Sequence, residues 1–190
     1  MGKKEKREPV KRKKREPVET ELQSLVGDAV SEIASLKEEM ESWRDNMSNA
    51  NMEHLPKFEE VNESCDALEQ AESQAQDAES EFDGLPDATK AAKAKYLAGK
   101  TTSRSSRAGE AGAMLRTVAD RLAELDKERE NRIAEIEGML DIDLLNKKDA
   151  AQLALEKEQG DLEDADYQSA IDALENAADE LDNVSFPGMY

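Results

Sequence analysis

The stretch LQSLVGDAVSEIASLKEEMESWRDNM, running from Leu22 to Met47, decides the fold class. Its apolar residues stand at Leu22, Val26, Ala29, Ile33, Leu36, Met40, Trp43 and Met47, separated by steps of 4, 3, 4, 3, 4, 3 and 4. This is an a/d heptad rhythm, which places one seam along one side of a helix. A stripe of that length is not stable facing water and requires a partner helix, in this chain or in another. The seam residues Leu22, Val26, Ile33, Leu36, Met40 and Trp43 are therefore the candidate partner-helix contacts.

Outward from this stretch, the spacing predicts a first helix from Thr20, its candidate cap, to Met47. Ser48-Asn-Ala-Asn51 interrupts it, and Pro56 opens a second helix over 57–82 with apolar residues at Phe58, Val61, Cys65, Leu68, Ala75 and Phe82. A short connection between two long helices implies an antiparallel hairpin. Gly84 is a candidate cap for its end. Residues 87–97 (DATKAAKAKYL) read as helical, and Gly99 to Gly109 (GKTTSRSSRAG) as a linker. A third long helix spans about 110–145 with Leu115, Val118, Leu122, Leu125, Ile133, Ile136, Leu140 and Leu144. A short helix follows, capped by Asp149 and ended by Gly160, and a last one covers 162–184. The expected fold is all-α: a long helical hairpin plus two or three further helices, with coiled-coil-like packing and a disordered basic N-terminal arm. Four segments result: the arm (1–18), the hairpin (19–86), a short helix and flexible linker (87–109), and a C-terminal helical region (110–190). Cys65-Asp-Ala-Leu-Glu-Gln-Ala71 echoes Ile171-Asp-Ala-Leu-Glu-Asn-Ala177, but two copies do not make a solenoid.

Composition agrees with long helices around narrow seams. Aromatic residues are 4% and charged residues 37% of the 190 positions, too little apolar bulk for a large core. No run shows the β-branched alternation of a strand. The charge is uneven. Residues 1–18 hold nine Lys/Arg and three Glu, a net +6, so the chain's −19 leaves −25 on residues 19–190. A body that acidic repels nucleic acid and anionic lipid and suits basic partners. One cysteine cannot close an intramolecular disulfide, no apolar run is long enough to span a bilayer, and no signal-peptide core follows the basic start. These features lead us to expect a soluble cytoplasmic protein, or a nuclear one in a eukaryotic cell.

The arm repeats an eight-residue unit, KKEKREPV then KRKKREPV, with Pro9 and Pro17 opposing a continuous helix. Lys3, Lys4, Lys6, Arg7, Lys11, Arg12, Lys13, Lys14 and Arg15 are candidate nucleic-acid contacts. Without interleaved aromatics, such binding would be to phosphates, weak and indifferent to sequence. The plain alternatives are a nuclear-import address, a solubilising tail, or a tail that folds back on the acidic body.

No motif points to catalysis. Gly99-Lys-Thr101 resembles the end of a phosphate-binding loop, but Ala94 stands where the first glycine belongs and a helix is expected before it. Asp141-Ile-Asp143 lacks the remaining positions of a calcium loop. His54 and Cys65 would need an orienting third group to form a nucleophilic pair, and Cys65 lies on the apolar seam. Zinc requires more His and Cys than the chain has. No metal, cofactor or small-molecule substrate is therefore expected. Ser103-Arg-Ser-Ser-Arg107 is a flexible basic cluster open to phosphorylation or, more plainly, a polar linker.

Leu36-Lys-Glu-Glu-Met-Glu-Ser-Trp-Arg-Asp-Asn-Met47, Asn-Met-Glu-His-Leu-Pro56, Cys65-Asp-Ala-Leu-Glu69 and Phe-Pro-Gly-Met-Tyr190 together resemble small acidic helical proteins of unassigned function encoded by tailed bacteriophages. The resemblance covers residues 30–70 and the C-terminus. It implies an intracellular phage accessory protein and transfers no catalytic residues. The function expected is a non-enzymatic interaction or adaptor protein using its helical seams for a partner or for self-association. The alternatives are a nucleic-acid-associated protein acting through its arm, or an acidic decoy for a basic host protein.

Overall fold

The computed structural model describes residues 16–99, 103–143, 150–163 and 166–188. In chain order these form β1 (Val18–Glu21), α1 (Leu22–Asn49), α2 (Pro56–Asp83), α3 (Asp87–Lys90), β2 (Lys93–Tyr96), α4 (Arg104–Asp143), α5 (Ala150–Glu163) and α6 (Tyr167–Asn183). Four long helices make the body. α1 lies against α2 and α4, and α6 lies against the same two, so the four close a square bundle.

Neighbouring helices run antiparallel. Along α1 and α4, Arg104 meets Glu39 while Arg107 also reaches back to Glu32. Along α2 and α6, Ser64 donates to the Ser185 carbonyl at one end and Ser169 donates to Glu81 at the other. Between α4 and α6, Arg116 pairs with Asp179 and Asp182, whereas Arg129 stacks on Tyr167, the first residue of α6. The echoed segments of α2 and α6 thus lie on neighbouring antiparallel helices.

The heptad seam is buried as its spacing requires. Leu22, Ala29, Ile33, Leu36 and Met40 are fully covered, and Leu25 and Val26 nearly so. Leu25 lies outside the a/d set because α1 packs against two helices, which widens the apolar stripe beyond a coiled-coil seam. On α2 the buried set is Val61, Cys65, Leu68, Ala71, Ala75, Ala78 and Phe82, largely alanine over its second half. The turn between α1 and α2 places Asn51 at φ 54°, the one non-glycine residue with positive φ among those described. Asparagine tolerates that conformation better than most side chains.

Several boundaries differ from the expectations above. Residues 87–97 are not one helix. α3 ends at Lys90, and Lys93–Tyr96 pairs antiparallel with Val18–Glu21 in a two-stranded sheet. The register sets Lys95 opposite Glu19 and Lys93 opposite Glu21, while Ala94 turns into the core. The alternation of Lys93–Tyr96 is carried by lysine and alanine, not by β-branched residues, so the sequence pattern does not mark it as a strand. Thr20 lies in β1 and so does not cap α1, whose first amide, Leu22 N–H, donates to the Ala92 carbonyl at 2.9 Å. Gly84 closes α2 in a right-handed conformation (φ −68°), not the left-handed one usual for a glycine cap.

α4 begins at Arg104, so residues 104–109, read as linker, form its first turns. Ser103 and Ser106 cap each other's backbone amides reciprocally at 3.1 and 3.0 Å. With 40 residues, α4 is about 60 Å long and overshoots the bundle. Beyond the bundle, α5 returns beside it, with Arg132 on Glu158 at 2.8 Å and Ile136 buried. Gly160 lies inside α5, and α6 starts at Tyr167 with Asp166 accepting from the Ser169 amide at 2.9 Å. The candidate cap Asp149 and Leu144 lie outside the described residues.

Candidate interaction surfaces

The seam residues Leu22, Val26, Ile33, Leu36 and Met40 are covered by helices of this same chain. The partner helices that the spacing calls for are α2 and α4, so these five side chains are not free to receive another protein. Trp43 is different. It is half-buried at the edge of the seam, with the Arg104 guanidinium 5.1 Å from its ring centroid. The nine basic residues of the arm, Lys3 to Arg15, lie outside the described residues.

Two surfaces remain, one on each side of the bundle. The first is a clamp between α1 and α4. Arg107 donates to Glu32, to Glu39 and, at 3.1 Å, to the Ser35 hydroxyl, while Arg104 donates to Glu39 at 3.2 Å. The hydrogen bond from Arg107, with a smaller one from Arg104, holds the Glu39 carboxyl below the usual carboxylate range against the opposing effect of burial. Glu39 and Glu32 in turn raise the Arg107 guanidinium above its ordinary value. These arginines fall in the stretch read as linker. The signal that marks them as helical is Ser103 three residues before Ser106, followed by Ala108, Ala111, Leu115 and Val118 at helical spacing.

The second surface is the α2/α6 wall. α2 holds ten Asp/Glu and one lysine, Lys57; α6 holds five Asp/Glu and no basic residue. Glu59, Glu60, Glu63, Asp66, Glu69, Asp172 and Glu175 are all exposed. Cations reach this wall from the other helices: Lys37 of α1 donates to Glu72 at 2.6 Å, and Arg116 of α4 grips Asp179 and Asp182 at 3.0 and 2.6 Å. The Lys37 ammonium is raised above its ordinary value by that bond to Glu72, against the effect of burial.

The chemical motifs resolve plainly. Gly99 does follow a strand and precede a helix, contrary to the helix expected before it. Its amide, however, donates at 2.7 Å to the Glu110 carboxylate, which occupies the place a phosphate would need. The Tyr96 hydroxyl donates to the same carboxylate, and burial with that bond pushes the phenol above its ordinary range. Lys100 and Thr101 lie outside the described residues, as do the side chains of Asp141 and Asp143. Cys65 is buried, and burial raises its thiol, the opposite of an activated nucleophile. His54 is exposed in the α1–α2 turn, its ring 3.1 Å from the Asn51 carbonyl. Among the described residues no group of three or more His, Cys, Asp or Glu is placed to hold a metal ion, and no helix is long and apolar enough to cross a membrane.

Comparison with family models, with curated proteins and with solved structures finds no match to this chain.

Proposed function

We propose that this protein is a non-enzymatic helical interaction protein, an adaptor that receives a basic partner on its α2/α6 wall. One observation carries the reading: fifteen carboxylates against a single lysine on two adjacent helices. The clamp side sets nine Lys/Arg against its sixteen Asp/Glu, with Arg104 and Arg107 paired to Glu32 and Glu39, so its outward field is weaker for its number of acids. The wall's field projects outward and attracts cationic protein surfaces at long range. An accessory role of the kind implied by the phage-protein resemblance is compatible with this chemistry. So is occupation of the DNA-binding surface of a basic host protein, which is a special case of the same contact. Self-association through the seam is disfavoured, because the seam is already covered.

Affinity capture from the native cell, with the full chain and with residues 19–190, tests the reading. It predicts recovery of a basic protein that is released by salt. Capture should fall when Asp66, Glu69, Asp172 and Glu175 are changed to lysine together, and persist when the clamp residue Arg107 is changed to glutamine. Capture indifferent to the wall variant would overturn the assignment. Binding to duplex DNA that disappears on removing residues 1–18 would favour the nucleic-acid role of the arm instead, with an affinity of about 10⁻⁴ to 10⁻⁶ M near physiological salt.

A further inference from the structure

The two-stranded sheet offers a third surface, the outer edge of β1. The Leu22 amide donates to the Ala92 carbonyl, and this bond fixes which main-chain groups of β1 face β2. Hydrogen-bonded pairs alternate along an antiparallel ladder, so with Val18↔Tyr96 and Thr20↔Ala94 in register it is Val18 and Thr20 that bond to β2. Glu19 and Glu21 turn their main-chain groups the other way. The Glu21 carbonyl accepts the first bond of α1. That leaves the Glu19 N–H, the Glu19 carbonyl and the Glu21 N–H without a partner, and no third strand beside β1, among the described residues. The side chains alternate as well. Glu19 and Glu21 are exposed on one face and make no ion pair among the described residues, while Val18, 66% exposed, and half-buried Thr20 lie on the other.

We propose that this edge receives an extended segment of a basic partner protein, added antiparallel to β1 as a third strand. An unpaired strand edge is a template for another chain, with main-chain bonds giving affinity and alternate side chains giving specificity. The register dictates the chemistry of the segment. Residues opposite Glu21 and Glu19 share their face and are lysine or arginine. Those opposite Thr20 and Val18 share the inner face and are apolar, which covers the exposed Val18. Read in its own direction, the segment is basic–apolar–basic–apolar. β2 already meets the other edge of β1 in this order, with Lys93-Ala94-Lys95-Tyr96. Charge complementarity selects such a segment over the β1 of a second copy, which would bring two more glutamates to the same edge. The edge is separate from the α2/α6 wall, and it recognises main chain where the wall acts through its field.

The probe is a short, dye-labelled peptide of alternating lysine and valine, titrated with the full chain near physiological salt and followed by anisotropy. Its counterpart is the same peptide N-methylated on the lysine amides, which keeps the charge and removes a main-chain donor. The N-methylated peptide should bind about tenfold more weakly. Changing Glu19 and Glu21 together to glutamine should also weaken the unmodified peptide. The preference between the two peptides should persist when Asp66, Glu69, Asp172 and Glu175 are changed to lysine, even if both then bind less. Equal binding of the two peptides would overturn the proposal and leave the wall reading standing, since charge alone would explain the contact. Absence of binding by either peptide would overturn it too. So would a mass that rises with concentration in sedimentation of the unmixed protein and is lost in the glutamine variant, which gives the edge to a second copy. A preference that emerges only after removal of residues 1–15 would give the edge to the chain's own arm, and the proposal would fall.

Discussion

The two sides of the bundle meet the same problem, an excess of carboxylates, in different ways. α1 and α4 together carry sixteen Asp/Glu and nine Lys/Arg, several of them paired across the helix interface. α2 and α6 carry fifteen against one. The core beneath them differs in parallel. α1 contributes mainly leucine, isoleucine, valine and methionine and the second half of α2 mainly alanine, while α4 and α6 each mix alanine with larger residues. On the clamp side, large side chains and ion pairs add to one another. On the wall side, repulsion among the carboxylates is relieved by Lys37 of α1 and Arg116 of α4.

The largest effect should come from the seam. Ile33 is fully buried among α1's neighbours, and Ile33→Asp would place an unpaired charge there. We expect a loss of about 3–5 kcal/mol, as for a buried charge stripped of its partner, enough to unfold a marginal domain. Urea unfolding followed by circular dichroism measures it. An unchanged midpoint would show that α1 is not the packed element described here.

A smaller loss is expected where the wall helices depend on small side chains. Ala75 is fully buried on α2, and Ala75→Leu forces extra methyl groups into a filled space, at a cost of about 1–3 kcal/mol. If the variant is instead more stable, there is unfilled volume beneath the wall, and the contrast in packing between the two sides fails.

The helices were legible in the sequence because heptad spacing is a direct image of which side is dry. Leu22 to Met40 needed no tertiary information. The partner of that seam did, since nothing in Leu36 or Met40 states whether the facing helix belongs to the same chain. The sheet was hidden because Lys93–Tyr96 is mostly lysine and alanine, and Val18–Glu21, though β-branched at alternate positions, is only four residues long. Their complementary charges are meaningful only once register is known. The clamp was hidden for a related reason. Ser103-Arg-Ser-Ser-Arg107 has the composition of a linker, and only a helix starting at Arg104 brings Arg104 and Arg107 to Glu39. The acidity of α2 and α6 was visible residue by residue, but their adjacency in one wall was not.

The clamp should also govern part of the acid response. Arg107→Gln removes the bonds to Glu32 and Glu39. Glu39 is more than a third exposed, so solvent screening limits the loss to about 1 kcal/mol or less. The sign with pH follows from the lowered carboxyl. Its stabilising contribution is complete above the ordinary value of 4.5 and disappears as pH falls from there through the lowered folded-state value. Wild type should therefore lose more stability than Arg107→Gln over that acid window. Melting curves between neutral and strongly acid pH that stay parallel for the two proteins would show that the Arg107–Glu39 bond contributes nothing in solution.

The smallest effect gives the sharpest contrast, because one kind of substitution should change sign between the two sides. Glu175 is exposed on α6, with Asp172 three residues before it and Asp179 four residues after. Glu175→Lys replaces two like-charge neighbours by two favourable ones at helical spacing, a gain of about 0.2–0.5 kcal/mol for each pair made and each repulsion removed, before screening. Glu39→Lys does the reverse. It sets a third cation beside Arg104 and Arg107 and should destabilise by about 1 kcal/mol, within the range for like charges added to a partly exposed cluster. Added salt should shrink both differences, since each is a screened interaction near the surface. Equal signs for the two substitutions in low-salt melts would mean that net charge alone decides the outcome. The clamp and the wall would then not be electrostatically distinct regions, and the case for the wall as the face offered to a basic partner would lose its physical basis.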